Sequence, residues 1–230
     1  MDVLSTGYSG LDAQMKIVDT ITNNLANVQT TGFKREFERV LESDGNTTVE
    51  THIDLSQGDL IATGNELDAA IDGPGFFAIQ TPAGVRYTRA GSFGLSAGGD
   101  LVTSDGMKVL SSSGGPINIS GNVVVIQDSG AVTVDGSEAA TLKIVTFPDS
   151  GQFQKEGASR FVWKGSEQDI QAVPEPRVKG GYLERSNVNP VGEMVQLISA
   201  NREFEAIQRT IKTVTSDMNS KLIQEMGQLG

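Results

Sequence analysis

The stretch VLSTGYSGLDAQMKIVDTITNNLANV, residues 3–28, decides how the rest of the chain is read. Leu4, Tyr8, Leu11, Met15, Val18 and Leu25 follow alternating steps of four and three, with Thr22 at the missing position. That repeat is a heptad seam. Val3, Ile17, Ile21 and Val28 form a second apolar row beside it, so the stripe is wider than a two-helix seam requires. The pattern predicts a helix over roughly residues 2–28, about 40 Å long at 1.5 Å per residue. Gly7 and Gly10 weaken its first turns, each by up to about 1 kcal/mol relative to Ala. Thr30-Thr31-Gly32 stops it, because threonines are poor helix formers and glycine suits a helix end.

The other end mirrors the first. Asn189-Pro190 reads as an N-cap followed by proline at the first helical position, with Glu193 in the first turn. Leu197, Ala200, Phe204, Ile207, Ile211, Val214 and Met218 then alternate steps of three and four. A helix over 190–226 would be about 55 Å long.

Between these ends the composition changes. Of the 27 glycines, 21 fall within residues 43–181, and that segment also carries −8 of the net charge of −11. Short β-rich runs alternate there with turns: Phe76–Ile79, Pro82-Ala83-Gly84, Val85–Thr88, then Phe93–Leu95, Met107–Leu110, Val123–Ile126, Ala131–Val134 and Leu142–Phe147. Strands so short and so regularly interrupted predict an all-β domain of hairpins. Residues 43–57 are polar and read as a connector, and 173–181 as the return connector. The expected fold is therefore α+β. Residues 1–42 and 182–230 form helical ends that pair as a coiled coil, and 43–181 form the central β domain.

Composition excludes much chemistry. The chain has no cysteine and one histidine, so thiolate centres, disulfides and multi-histidine metal sites are out. Its 29 acidic against 18 basic residues repel phosphate backbones and anionic membrane surfaces. No run approaches the ~18 apolar residues of a membrane span, and the N-terminus does not resemble a cleaved secretory signal. Gly73-Pro74-Gly75 precedes a strand rather than a helix and reads as a turn, not a phosphate loop. His52 reads as a solvated histidine, and the acidic loops Asp100–Asp105 and Asp128–Asp135 as solvated turns. Trp163 reads as core. Catalytic, cofactor-binding and metal-ligating residues are therefore expected to be none.

Four blocks of residues carry a family resemblance. Thr22-Asn23-Asn24-Leu25-Ala26-Asn27-Val28 with Thr31-Gly32-Phe33-Lys34-Arg35 is the first. Ser56-Gln57-Gly58-Asp59-Leu60, Thr63-Gly64-Asn65, Leu67–Gly73 and Gly75-Phe76-Phe77 make the second. Tyr87–Phe93 with Gly99-Asp100-Leu101-Val102 and Gly106 is the third. Gly181–Asn189 with Glu193-Met194-Val195 and Arg202–Glu205 is the fourth. In this order they resemble the bacterial flagellar rod and hook proteins.

The resemblance implies a structural subunit of the flagellar basal body, not an enzyme, and no cofactor. It implies export through the flagellar type III apparatus without a cleaved signal, and polymerisation with copies of itself and neighbouring rod proteins into a hollow drive shaft across the periplasm. The terminal helices would line the inner coiled-coil tube, using the seam Leu4, Tyr8, Leu11, Met15, Val18, Leu25, Leu197, Phe204, Ile207, Ile211, Val214 and Met218. The family motif falls on Asn23, Asn24, Leu25, Ala26, Asn27, Thr31, Gly32 and Phe33. Only 24 residues separate Phe33 from Gly58, which is most like the proximal rod protein adjacent to the distal rod. A distal rod protein and a short hook-like protein stay open, as does an oligomeric β-rich adhesin or binding module from another class. Neither nucleic acid nor membrane insertion is expected.

Overall fold

The computed structural model describes residues 3–43, 46–121, 123–148, 150–157 and 159–227. The chain divides into two units. One comprises Met1–Ala26, Glu36–His52 and Asn189–Gly230; the other comprises Asn27–Arg35 and Ile53–Val188.

The helical unit holds α1 (Val3–Ala26), a two-stranded ribbon of β1 (Glu36–Ser43) and β2 (Asn46–Ile53), and α2 (Pro190–Gly227). Both helices keep nearly the expected bounds. Asn189 caps α2 as its sequence predicts, its Oδ1 accepting from the Gly192 N–H at 3.2 Å. The ribbon corrects the reading of residues 43–57 as a connector. Thr47, Thr48, Val49, Thr51 and Ile53 are β-branched and pack well on a pleated strand, although threonine counts as polar in a composition scan. Neither helix is long and apolar enough to cross a membrane.

The β unit contains β3 (Leu60–Ala62), β4 (Ala69–Ile71), β5 (Phe76–Thr81), β6 (Gly84–Thr88), β7 (Phe93–Leu95), β8 (Leu101–Thr103), β9 (Lys108–Val109), β10 (Val124–Ile126), β11 (Ala131–Val134) and β12 (Ser137–Thr141). It continues with β13 (Ile144–Thr146), β14 (Phe153–Lys155), β15 (Arg160–Trp163), β16 (Gln171–Ala172), β17 (Val178–Gly180) and β18 (Tyr182–Glu184). The main sheet runs β14-β15-β6-β5-β9-β8-β7, with β13 pairing both β5 and β16. Its strand pairs are antiparallel, as hairpin connections require. β10-β11-β12 form a smaller sheet. The expected return connector instead supplies β17, which pairs with β4, and the first residues of the expected helical end 182–230 supply β18, which pairs with β3.

Alternation along the strands builds two cores. Phe77, Ile79, Phe93, Leu101, Ile126, Val132 and Leu142 fill one. Phe76, Tyr87, Phe153 and Phe161 fill the other, with Phe147 and Trp163 packed against it. Its rings sit 4.5–5.9 Å apart between centroids, mostly edge to face, which suits their quadrupoles. The Trp163 indole N–H donates to the Ser166 carbonyl at 2.9 Å, so the ring is half-buried with its polar edge satisfied.

One surface ion pair sets an acid response. Arg86 Nη2 donates to Glu156 Oε1 at 2.9 Å, and its Nε also donates to that carboxylate. The hydrogen bonds from Arg86 hold the Glu156 carboxyl below its ordinary 4.5. The pair's contribution to stability is therefore present above pH 4.5 and lost as pH falls through the lower folded value. Melting curves of the Trp163 signal from pH 7 to 2 are expected to show this loss in the wild type. Glu156→Gln should flatten that part of the profile.

Candidate functional site

In the helical unit the two long helices lie antiparallel against each other. Three pairings fix the register. A Cβ built on Gly7 would sit 2.9 Å from Ile211 Cγ1. Gln14 Nε2 donates to the Ala200 carbonyl at 2.9 Å. Asn24 Nδ2 donates to Glu193 Oε2 at 3.2 Å. Gly7 is thus where α1 admits Ile211, a packing reason for a residue that disfavours helix.

The three contacts to α2 fall on Gly7, Gln14 and Asn24, in the row one position ahead of the seam, and this side of α1 is the more fully covered. Ala13, Gln14, Ile21 and Asn24 are buried, with Ile17 half-buried. Gln14 and Asn24 are polar, so a search for apolar periodicity passes over them. Asn24 is fully buried, and it also brackets Glu36. Its Nδ2 donates to the Glu36 carbonyl at 2.6 Å, and its Oδ1 accepts from the Glu36 N–H at 2.9 Å. One amide thereby satisfies the backbone of β1 and holds the ribbon to the helix.

The seam residues divide accordingly. Leu11, Val18, Leu25, Leu197, Phe204, Ile207, Ile211 and Val214 are half-buried, and Tyr8, Met15 and Met218 are exposed. The side chain of Leu4 lies outside the described residues. On α2, Val191, Met194, Val195 and Ile198 are also exposed, at 70%, 51%, 60% and 55%. Their spacing of three and four puts them on one face.

In the β unit the motif blocks converge on a buried ion centre. Lys34 Nζ donates to Glu184 Oε1 at 2.6 Å and to the Ser56 carbonyl. Arg89 Nη1 donates to Glu184 Oε2 at 3.1 Å, and its Nη2 donates to the Gly73 carbonyl at 2.7 Å. Glu184 Oε1 also accepts from the Gly58 N–H at 3.0 Å. Lys34 and Glu184 are wholly buried and Arg89 is 3% exposed. Two cations thus share one carboxylate, and backbone carbonyls solvate the excess. Burial pushes both Lys34 and Arg89 below their ordinary values, and Glu184 opposes this in each.

Backbone contacts lock the same place. Gly32 has φ +66°, its N–H donates to the Glu184 carbonyl at 2.8 Å, and a Cβ there would lie 2.3 Å from Ala90 N. Asn187 Oδ1 accepts from the Arg35 N–H at 2.7 Å, while its Nδ2 donates to the Asp54 and Ser56 carbonyls at 2.9 and 3.1 Å. Phe33 is buried beneath Lys155, whose Nζ lies 3.4 Å from the ring centroid. Thr30 Oγ1 donates to Asn27 Oδ1 at 3.1 Å, closing the turn. Thr31 and Leu25 are half-buried, and Asn23 and Ala26 are exposed.

This centre is absent from the expected sites. Residues 34, 89 and 184 follow no spacing rule. The one local signal is a charged residue set among glycines and apolar neighbours, as in Gly32-Phe33-Lys34 and Thr88-Arg89-Ala90-Gly91. The arrangement holds two cations and one carboxylate in mutual contact, with the buried Arg89 Nε left without a hydrogen-bond partner among the described residues; its chemistry is cohesion. His52 has its ring stacked on Phe37 at 5.7 Å and its Nε2 3.6 Å from Glu50. The Gly73-Pro74-Gly75 turn has φ +123° and +133° at its glycines and serves Arg89 through the Gly73 carbonyl.

Three family models match the chain in succession. Residues 4–34 match a flagella basal body rod protein model. Residues 70–134 match the flagellar hook protein FlgE/F/G D1 domain, and 179–225 the flagellar basal body rod FlgEFG protein C-terminal region. The chain is 32% identical to the flagellar basal-body rod protein FlgF of Caulobacter vibrioides, over 96% of this chain and 98% of that protein. It is 33% identical to FlgG of Bacillus subtilis, with 97% of each covered. It is 34% identical to FlgG of Borreliella burgdorferi, over 93% of this chain and 94% of that protein.

Proposed function

Because the chain belongs to the flagellar basal-body rod protein family, and is a structural subunit of that rod rather than an enzyme, we propose that it polymerises through its terminal helices. In the assembled rod it works beside other rod components. Its mechanism is packing. The two helices join neighbouring subunits in a coiled-coil tube through the seam residues, copies of the chain contact one another there, and the subunit reaches the rod through the flagellar type III apparatus. The β unit, residues 27–35 with 53–188 rather than the expected 43–181, is the part able to fold without a neighbour.

One observation carries this reading. Val191, Met194, Val195 and Ile198 expose a continuous apolar face on α2, while Tyr8 and Met15 do so on α1. Burying such side chains is worth about 1.5–3 kcal/mol each, and this gain is open only to a neighbour. We further propose the proximal position. Relatives named FlgF align over 235–241 positions and those named FlgG over 250–265, so this 230-residue chain needs fewer gaps against FlgF.

Ile198→Asp tests the assembly reading. It places a charge on a face that is exposed in the free subunit, so the Trp163 melting curve should not move. Incorporation into purified basal bodies, and motility with it, should be lost, because the charge would be buried without a partner. Lys16→Glu is the control. Lys16 pairs with Asp12 at 3.1 Å on an exposed face and should matter little. Normal rods built from Ile198→Asp would refute the reading.

A further inference from the structure

We propose that the Lys34–Glu184–Arg89 centre is a latch that makes pairing of α1 with α2 depend on completion of the β unit. The helices are far apart in the chain: residues 27–189, 163 residues, separate Ala26 from Pro190. Bringing the helices together from an open chain must close that whole loop. The latch closes most of it beforehand. It holds residues 32–35 against 184–187 through Lys34 with Glu184 at 2.6 Å, the Gly32 N–H on the Glu184 carbonyl at 2.8 Å, and the Arg35 N–H on Asn187 at 2.7 Å.

With residue 34 fixed to residue 184, only residues 27–33 and 185–189 remain between the helices, 12 in all. Loop-closure cost grows as three-halves of the logarithm of loop length, so the latch raises the pairing equilibrium roughly 50-fold. Pairing becomes a short-range event.

The charges make the latch all-or-none. Lys34 comes from the segment after α1, Arg89 from the residue following β6, and Glu184 from β18. Until all three segments are in place, at least one ion is desolvated without its partner, a strongly unfavourable state. A hydrophobic clasp would tolerate partial closure. This one forms only on a finished sheet, so the helices are presented as a pair only by a folded subunit.

Hydrogen exchange on the full chain tests this, with the Arg35 and Gly32 amides reporting the latch and the α1 amides of residues 14–24 reporting helix pairing. Trp163 fluorescence reports the β unit. Lys34→Met leaves Glu184 paired one-to-one with Arg89, so the Trp163 transition should persist. The α1 amides should exchange 10- to 50-fold faster than in the wild type. The proposal is overturned if Gly32 and Arg35 are released but α1 exchange changes less than threefold. It is equally overturned if wild-type α1 already exchanges as an unprotected helix. Should Lys34→Met lose the Trp163 transition, Asn187→Ala decides: it removes the neutral ties of this one amide, to the Arg35 N–H and to the Asp54 and Ser56 carbonyls, and leaves all three charges in place. It must accelerate α1 exchange several-fold, and unchanged exchange overturns the latch.

Discussion

Glu184→Gln is expected to destabilise the β unit by about 3–5 kcal/mol, the cost of breaking a buried ion pair while leaving its cations in place. Gln keeps the shape of the side chain and accepts through one oxygen only. Glu184 currently receives Lys34, Arg89 and the Gly58 N–H at 2.6, 3.1 and 3.0 Å, so at least one cation loses its anionic partner. Denaturant unfolding followed by Trp163 fluorescence measures the loss as a lower midpoint at unchanged slope. The variant carries a pH signature. Burial lowers Lys34 from its ordinary 10.5, and the Glu184 charge is the main influence opposing that fall. Without the carboxylate the folded value drops further while the unfolded value stays. The unfolded chain then binds more protons, so stability rises with pH over the window below 10.5. A variant within 1 kcal/mol of the wild type at pH 7 would show that the backbone carbonyls alone solvate the two cations.

Gly91→Ala is the second large effect, and it is purely steric. A Cβ at residue 91 would lie 1.7 Å from the Ala69 carbonyl oxygen and 2.8 Å from its carbon. Ala69 is fully buried in β4, and its N–H donates to the Gly91 carbonyl at 2.9 Å, so neither β4 nor the β6–β7 link can yield without breaking that bond. The expected cost is about 3 kcal/mol, the upper end of the overpacking range. For a chain of this size that lowers Tm by roughly 6–12 °C. Gly106→Ala is the informative comparison. Gly106 has φ +80° but open space around its would-be Cβ, so it bears only backbone strain of about 1–2 kcal/mol. Equal melting shifts in the two variants would mean that the β4 contact relaxes freely.

Assembly adds a different sensitivity. Changes at Glu184 and Gly91 act within the isolated subunit, whereas Ile198→Asp spares it and acts only where a neighbour covers α2. Melting curves and motility together therefore separate folding defects from packing defects.

The sequence by itself determined the helical ends, their lengths and the Asn189 cap, because hydrophobic period and capping chemistry are local. It also determined the β character of the middle, through glycine turns between short alternating runs, and the family through four ordered blocks. Tertiary structure alone decided which row of α1 meets α2. Gln14 and Asn24 belong to that row, and a buried amide is recognisable only once its backbone partners, the Ala200 and Glu36 carbonyls, are in place. It alone decided that residues 46–53 pair with β1, since a ribbon depends on its partner strand as much as on its own residues. It alone decided the ion centre. Lys34, Arg89 and Glu184 are 55 and 95 residues apart in succession. Three charges so distant can be buried only when the sheet brings them together, because each taken singly would stay in water.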